Sequence, residues 1–232
     1  MGNAGGLPVE RGDRALLIDA GFGPQTFEAP DGPLNAIHGG ALPDSLAELG
    51  RAPGGIEAVA FTTHLHSDHI GWACHPAGGG DLPVFANAAY LVSEPDRDRR
   101  DLLEAQGITE QVAALAPRVR TVGDGQEIFP GVSVRITPGH TVGHAECVIT
   151  GGGRRPIPFG DAMHPPIQIG HPDWSSAFDH DHDPARTAVD RRRLVAEWAE
   201  PDTIGFGVHF ADVVFRWVRQ DGDGPAWRPL DG

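Results

Sequence analysis

The residues best suited to chemistry lie in one short segment that places three histidines and one aspartate within six positions. Residues 63–71 have the sequence THLHSDHIG. In an extended segment, side chains two positions apart point the same way, so His64 and His66 are predicted to bind one cation. Asp68 and His69 follow a bend in the chain and are predicted to face a second point.

Three further ligands follow apolar segments later in the chain, and these are His140, Asp161 and His209. Together with the first segment they make five imidazoles and two carboxylates without a thiolate, a set that suits Zn²⁺, Mn²⁺, Fe²⁺ or Co²⁺. Seven ligands are too many for one tetrahedral ion. Two ions about 3.5–4 Å apart that share a carboxylate use them all, so the set predicts a two-metal hydrolytic site.

Short apolar strands are predicted to carry these ligands. Residues 56–63 are apolar and β-branched at several positions, as a buried strand is, and they run directly into the histidine motif. Residues 14–21 form a similar strand that ends at Asp19. Helices are predicted over 42–49 and 184–200, so strands and helices alternate. In α/β folds of this kind, chemistry is placed at the carboxyl ends of the strands.

Length, composition and charge restrict the class of protein. The 232 residues, 40% of them apolar, predict a single domain over 1–232, with a flexible lead at 1–13 and a polar tail at 219–232. Arginine supplies all 18 positive charges against 32 acidic residues. The net charge of −14 repels phosphate backbones, which argues against a nucleic-acid partner. The arginine run at 191–193 is accordingly interpreted as a helix face and not as a phosphate site.

The compartment is inferred from the cysteines and from the apolar segments. Cys74 and Cys147 lack metal-ligand spacing and do not form a disulfide framework. No segment approaches the roughly 18 uninterrupted apolar residues of a membrane span, and residues 1–6 lack the features of a signal peptide. A cytoplasmic protein without a membrane partner is therefore expected.

These motifs resemble the signature of the metallo-β-lactamase superfamily, H-x-H-x-D-H followed by a Gly-His-Thr histidine, a Gly-Asp aspartate and a late histidine. The resemblance spans residues 15 to about 218. It implies an α/β (α+β) fold, a four-layer αββα sandwich with the site along one edge of the sheets. Family members usually have strands ahead of segment 14–21, so this chain is expected to be short of its first strand or strands. An open edge favours association, so either an oligomer such as a homodimer covers it or the chain is a shortened form of a longer protein.

The resemblance also implies a role for each ligand. The first metal ion would be held by His64, His66 and His140. The second would be held by Asp68, His69 and His209, with Asp161 bridging the two ions. Asp19 would support a metal ligand without binding metal itself. His144 lies in the same loop as His140 and would be the histidine of that pair that binds no metal. Zinc is the first expectation for both ions, and manganese, iron and cobalt stay open.

Within the superfamily, the motifs resemble the branch of N-acyl-homoserine lactonases and methyl-parathion-type hydrolases. This branch implies a metal-bridging hydroxide that cleaves small lactones, carboxylic esters or organophosphate esters. Asp68 or Asp161 would accept a proton, and His164 would donate a hydrogen bond to the oxyanion. The lactonase pattern usually has tyrosine at the position of His164, and the organophosphate hydrolases have histidine. The residues predicted to line a substrate pocket, with core packing as the alternative, are Trp72, Ile167, Trp174, Phe178 and Phe210.

Two alternatives stay open at this stage. One is another hydrolytic specificity of the fold, such as thioester or β-lactam cleavage. β-Lactamases of the family generally lack the aspartate that Asp161 supplies, which disfavours antibiotic hydrolysis. The other alternative is a metal-binding protein without catalytic activity.

Overall fold

A computed structural model describes residues 4–28, 36–61, 65–75, 83–99, 101, 104, 107, 109–175, 181–210, 214–222, 224–228 and 230. The strands are β1 Leu7–Arg11, β2 Arg14–Ile18, β3 Thr26–Glu28, β4 Ala36–His38, β5 Ala58–Phe61, β6 Ala89–Ser93, β7 Val119–Val122, β8 Glu127–Phe129, β9 Val132–Ile136, β10 Ala145–Ile149, β11 Arg155–Pro158, β12 Thr203–Phe206, β13 Phe215–Asp221 and β14 Gly224–Arg228. The described helices are α1 Leu42–Glu48, α2 Ser67–Ile70, α3 Glu94–Arg97, α4 Thr109–Leu115 and α5 Pro184–Trp198.

The first sheet has the strand order β1-β2-β5-β6-β7. Its strands from β2 to β7 are parallel, and β1 is antiparallel to β2. All four residues of β5 are buried, as the continuous apolar sequence AVAF predicts for a strand covered on both faces. Because the strands are parallel, the carboxyl ends of β2 and β5 meet at one edge of the sheet.

The second half of the chain forms two further groups of strands. The strand order is β10-β9-β8 in one group and β11-β12-β13-β14 in the other, and β10 lies against β11. The pairing is antiparallel except between β11 and β12, which are parallel. The loops after β9, β11 and β12 carry the later histidine and aspartate candidates.

Three apolar clusters define the layers. Alternate residues of β2 face opposite ways, so Leu17 belongs to a cluster with Leu46 of α1, and Leu16 belongs to a cluster with Val134 of β9. A third cluster joins Ile157 of β11 to Trp198 of α5. The order is therefore helix, sheet, sheet, helix, and the predicted αββα architecture is confirmed.

Both chain ends differ from the prediction. The predicted flexible lead contains β1, which pairs with β2 along its whole length and occupies the edge where a strand was expected to be missing. The predicted polar tail contains β14 and the end of β13, paired as a hairpin. Trp227 of β14 packs against the cluster that contains Trp198, so tertiary packing outweighs the polar local sequence.

Two internal segments also differ from the sequence expectation. Residues 22–40, whose prolines and glycines are typical of a loop, contain β3 and β4, which pair antiparallel. Residues 84–86, whose sequence Val-Phe-Ala is typical of a short strand, lie in a turn. The longest described helix is α5 with 15 residues. None of the helices within the described ranges has the length and apolar character to cross a membrane.

Candidate metal centre

The candidate ligands meet where several strands end. Asp19 follows β2, and the motif segment that follows β5 supplies His66, Asp68 and His69, with His66 immediately before α2. Later loops bring His140, Asp161 and His209 to the same place. His64 lies outside the described residues, so its metal-binding role stays a prediction.

The ligand atoms form two groups that share one residue. The first group contains Asp68, His69, Asp161 and His209, and the second contains His66, His140 and Asp161. Within each group, one ligand atom of every residue lies within 4.8 Å of the others. The described candidates are therefore divided between two points in space.

Asp161 faces both groups with different carboxylate oxygens. Its Oδ1 lies 2.9 Å from His209 Nε2 and 3.1 Å from His69 Nε2. Its Oδ2 lies 3.5 Å from His140 Nε2 and 3.2 Å from His164 Nε2. The side chain is only 4% exposed, so these imidazoles replace water around the carboxylate. This geometry suits a carboxylate shared by two cations.

The imidazoles of His66 and His209 differ in protonation, and both states bear on cation binding. Burial lowers the pKa of His66 to about 4, and the nearby His140 ring acts in the same direction. His66 therefore presents a neutral imidazole at neutral pH, which is the form that binds metals. Burial also acts to lower the pKa of His209, but the carboxylates of Asp161 and Asp68 outweigh it and raise the value to about 9. The carboxylates of Asp161 and Asp68 thus favour a positive charge beside them, which a bound cation can supply once His209 releases its proton.

Asp19 lies behind His69 in the position that a supporting residue requires. His69 Nδ1 donates to Asp19 Oδ2 over 3.1 Å, which leaves Nε2 facing Asp161. The backbone of Asp19 is left-handed, with φ of 60°, and the amide of Ala20 donates to the carbonyl of His69. This turn therefore holds both the ring and the backbone of His69.

Two buried aspartates that were not recognised from the sequence hold the loop of His140. Asp181 Oδ1 accepts a 3.0 Å hydrogen bond from His140 Nδ1. Asp96 accepts from the Thr141 hydroxyl over 2.7 Å and from the Gly143 amide over 2.8 Å. The sequence offers a local signal for Asp96, because it stands three residues after Ser93 with the spacing of a helix cap. In the structure the Asp96 amide donates to the Ser93 side chain, which caps α3. The sequence offers no such signal for Asp181, because the acidic, histidine-rich segment around it shows no periodicity.

His144 lies beside the centre, in neither of the two ligand groups. Its Nδ1 lies 3.0 Å from the Thr137 hydroxyl and 3.2 Å from the Thr137 carbonyl. Burial lowers the pKa of His144 to about 3, so the ring is neutral at neutral pH. The contact with Thr137 and the 5.9 Å edge-on approach to the His140 ring fit the predicted role of a histidine that binds no metal.

The predicted pocket residues have different environments. Ile167 and Trp174 are 54% and 53% exposed, and Trp174 stacks on His171. Trp72 is partly buried against the core on the α1 side. Phe210 is completely buried against Phe159 and Trp227, so it is a core residue and its predicted place in a pocket is wrong. Phe178 lies outside the described residues.

Comparison with known proteins identifies the family. The model of the metallo-beta-lactamase superfamily matches residues 9–207. AidC, a dizinc quorum-quenching lactonase solved in complex with a product, has a TM-score of 0.80 at 21% identity and covers 98% of this chain and 79% of its own. The hydrolase AbOPH of the beta-lactamase superfamily has a TM-score of 0.76 at 24% identity and covers 97% of this chain and 78% of its own. A probable metal-dependent hydrolase from Staphylococcus aureus has a TM-score of 0.76 at 19% identity and covers 98% and 82% of the two chains.

At these identities the structural likeness shows the fold, and the family match extends over most of the chain. The same residues that match the family model include both described ligand groups apart from His209. The chain belongs to the metallo-β-lactamase superfamily.

Proposed function

We propose that this protein is a hydrolase that uses two divalent cations to cleave small uncharged lactones, carboxylic esters or organophosphate esters. The observation that supports it most directly is the division of Asp161, whose Oδ1 faces His69 and His209 and whose Oδ2 faces His140. A carboxylate that serves two ligand groups is the arrangement of hydrolytic two-metal sites.

One cation would be held by His66, His140 and Asp161, together with His64 by resemblance, and the other by Asp68, His69, Asp161 and His209. Zinc is the first choice for both, because AidC is a dizinc enzyme and the ligands are nitrogen and oxygen. When bound, such a pair lowers the pKa of a water molecule and polarises the electrophilic oxygen of the substrate.

Two side chains are proposed to handle protons and developing charge. The Asp68 side chain is 31% exposed whereas that of Asp161 is 4% exposed, so Asp68 is the carboxylate that incoming water can reach. We assign to Asp68 the proton released by the attacking water. His164 lies with Nε2 3.2 Å from Asp161 Oδ2 and is 16% exposed, so it can donate from the edge of the centre to the oxyanion.

The surroundings favour a small uncharged substrate. The exposed side chains of Ile167 and Trp174 follow His164 in the same loop and offer apolar contact. The net charge of −14 opposes polyanionic substrates. AidC carries the product N-hexanoyl-L-homoserine, a small acyl compound, which supports including lactones in the proposal.

The test combines metal analysis with a substrate panel. Purified protein would be assayed for bound metal and for hydrolysis of a lactone, a chromogenic carboxylic ester and a phosphotriester, before and after chelation. We expect about two metal ions per chain, activity on at least one substrate, and recovery of that activity when metal is returned. Less than about one ion per chain and no chelator-sensitive turnover would refute the proposal.

A further inference from the structure

Arg191 of α5 is an almost fully buried arginine whose guanidinium reaches three separate segments. Its exposed fraction is 1%, although arginine is a residue type that mostly lies at the protein surface. Its Nε donates to the Ala162 carbonyl over 2.6 Å, and one terminal nitrogen donates to the Trp174 carbonyl over 2.8 Å. The other terminal nitrogen lies 3.2 Å from Asp181 Oδ2. Arg191 therefore lies on the side of α5 that is turned toward the protein interior.

Each of these three segments contains or contacts a residue of the candidate metal centre. Ala162 directly follows Asp161, the residue shared by the two ligand groups. Asp181 accepts the hydrogen bond from His140 Nδ1, so it sets the direction of the ring that faces Asp161. One guanidinium thus contacts the supports of ligands that come from two different loops.

The contact at Trp174 extends the same connection to His164. The Trp174 carbonyl also accepts from Gln168 Nε2 over 2.8 Å. The Gln168 Oε1 in turn accepts from the backbone amide of His164 over 2.8 Å. Gln168 is 1% exposed, so this short chain of hydrogen bonds is shielded from water.

A buried guanidinium is costly unless its donors are paired, and an apolar side chain is often at least as stabilising at such a position. Packing alone therefore does not call for arginine at residue 191. A planar side chain with fixed N–H directions is what three acceptors on separate segments require. Lysine carries the same charge but has a single nitrogen.

We propose that Arg191 is a positioning residue for the metal centre, which aligns His140 through Asp181 and Asp161 through the Ala162 carbonyl. This inference rests on the proposed function, because the centre must bind cations for the alignment to matter. Through Arg191, α5 holds His140 and Asp161, which come from two different loops, at a constant separation. The same residue holds the backbone of His164 through Trp174 and Gln168.

Arg193 provides a matched control on the same helix. Its side chain pairs with Glu146, Glu197 and Asp190. None of these partners belongs to either described ligand group. Arg193→Lys therefore perturbs an ion-pair network of α5 and leaves the supports of His140 and Asp161 in place.

The experiment titrates Co²⁺ into the metal-free full-length protein in competition with a chelator and records the visible absorption of the bound ion. Four proteins are compared with the wild type: Arg191→Lys, Asp181→Asn, the double variant and Arg193→Lys. We expect each of the first two to weaken Co²⁺ binding about 10–100-fold and to shift the absorption bands. In the double variant, Asp181→Asn should add less than about twofold to the effect of Arg191→Lys, because both act through His140. Arg193→Lys should stay within about twofold of the wild type, whatever it does to thermal stability.

The outcomes separate this inference from the proposed function. A wild-type protein that binds no Co²⁺ refutes the proposed function and the inference with it. Two results overturn the inference alone when the wild-type protein does bind Co²⁺. One is a Co²⁺ affinity of Arg191→Lys that equals that of Arg193→Lys, and the other is additive effects on Co²⁺ affinity in the double variant. If Arg191→Lys does not fold, Asp181→Asn decides, since unchanged Co²⁺ affinity in that folded variant also overturns it.

Discussion

Replacing Asp19 by asparagine isolates the negative charge that lies behind His69. Asp19 is 3% exposed and accepts from His69 Nδ1 over 3.1 Å. Its φ of 60° is left-handed, a region in which asparagine is as acceptable as aspartate. The amide oxygen can still accept from Nδ1, so Asp19→Asn removes the charge and keeps both the backbone and the hydrogen bond.

The expected loss of metal affinity follows from the hydrogen bond between His69 Nδ1 and Asp19. A hydrogen bond to a charged group contributes about 1.5–3 kcal/mol and a neutral one about 0.5–1.5 kcal/mol. The difference of about 1–1.5 kcal/mol corresponds to about a five- to twelvefold change in an equilibrium constant. Supporting residues of metal ligands typically contribute about 10–100-fold. We therefore expect about a tenfold weaker affinity for the cation held by His69.

Metal affinity would be measured by competition with a chromogenic chelator, using wild-type protein, Asp19→Asn and Asp202→Asn. Asp202 is the matched control, because it is the other non-glycine residue with a left-handed backbone among those described, with φ of 61°, and it is exposed. Asp202→Asn should leave the affinity unchanged. Equal affinities for the two variants would refute the claim that the Asp19 charge supports His69.

Three further results are expected. In metal-free protein, His209 has its pKa raised to about 9 from 6.5, so its stabilising contribution is complete below about pH 6.5 and is lost as the pH rises through about 9. The unfolding free energy in urea should fall over that range, and a His209→Gln variant that shows the same slope would contradict this. Because the bound cation displaces the proton, titration calorimetry at pH 7 in two buffers should show proton release on metal binding, and none in either buffer would count against it. Phe210→Ala should lower the unfolding free energy by about 3–5 kcal/mol, since its buried ring packs against Phe159 and Trp227. Trp174→Ala, at an exposed position, should change the unfolding free energy by less than about 1 kcal/mol. Similar losses for both variants would show that Phe210 is not a core residue.

The candidate ligands could be recognised from the sequence because short-range geometry constrains them. His66, Asp68 and His69 lie within four positions, where the bend from strand to helix decides which way each points. Asp161 and His209 stand at the ends of apolar strands, and parallel strands deliver their ends to a common edge. The apolar pattern of β5 likewise predicts a strand covered on both faces.

The supports of these ligands could not be recognised in the same way. Asp96, Asp181 and Arg191 are polar residues in segments that read as exposed helix or loop, yet the side chain of each is buried. Their burial depends on partners that are distant in the chain, such as Gly143 for Asp96 and His140 for Asp181. Local sequence carries no record of a contact made across about 40 residues or more, as these contacts are.

Apolar periodicity predicted the alternation of strands and helices, and motif spacing predicted two groups of ligands, because both are local properties. The fold family was implied by the resemblance of these motifs to a known signature. Tertiary structure alone decided that the chain ends pair as strands, that Phe210 is core, and that Asp161 presents one oxygen to each group. It also decided that Arg191 turns inward to join Asp181, Ala162 and Trp174. The physical reason is that burial and hydrogen bonding depend on which segments the fold brings together, and a buried polar group is stable only when that packing supplies its partners.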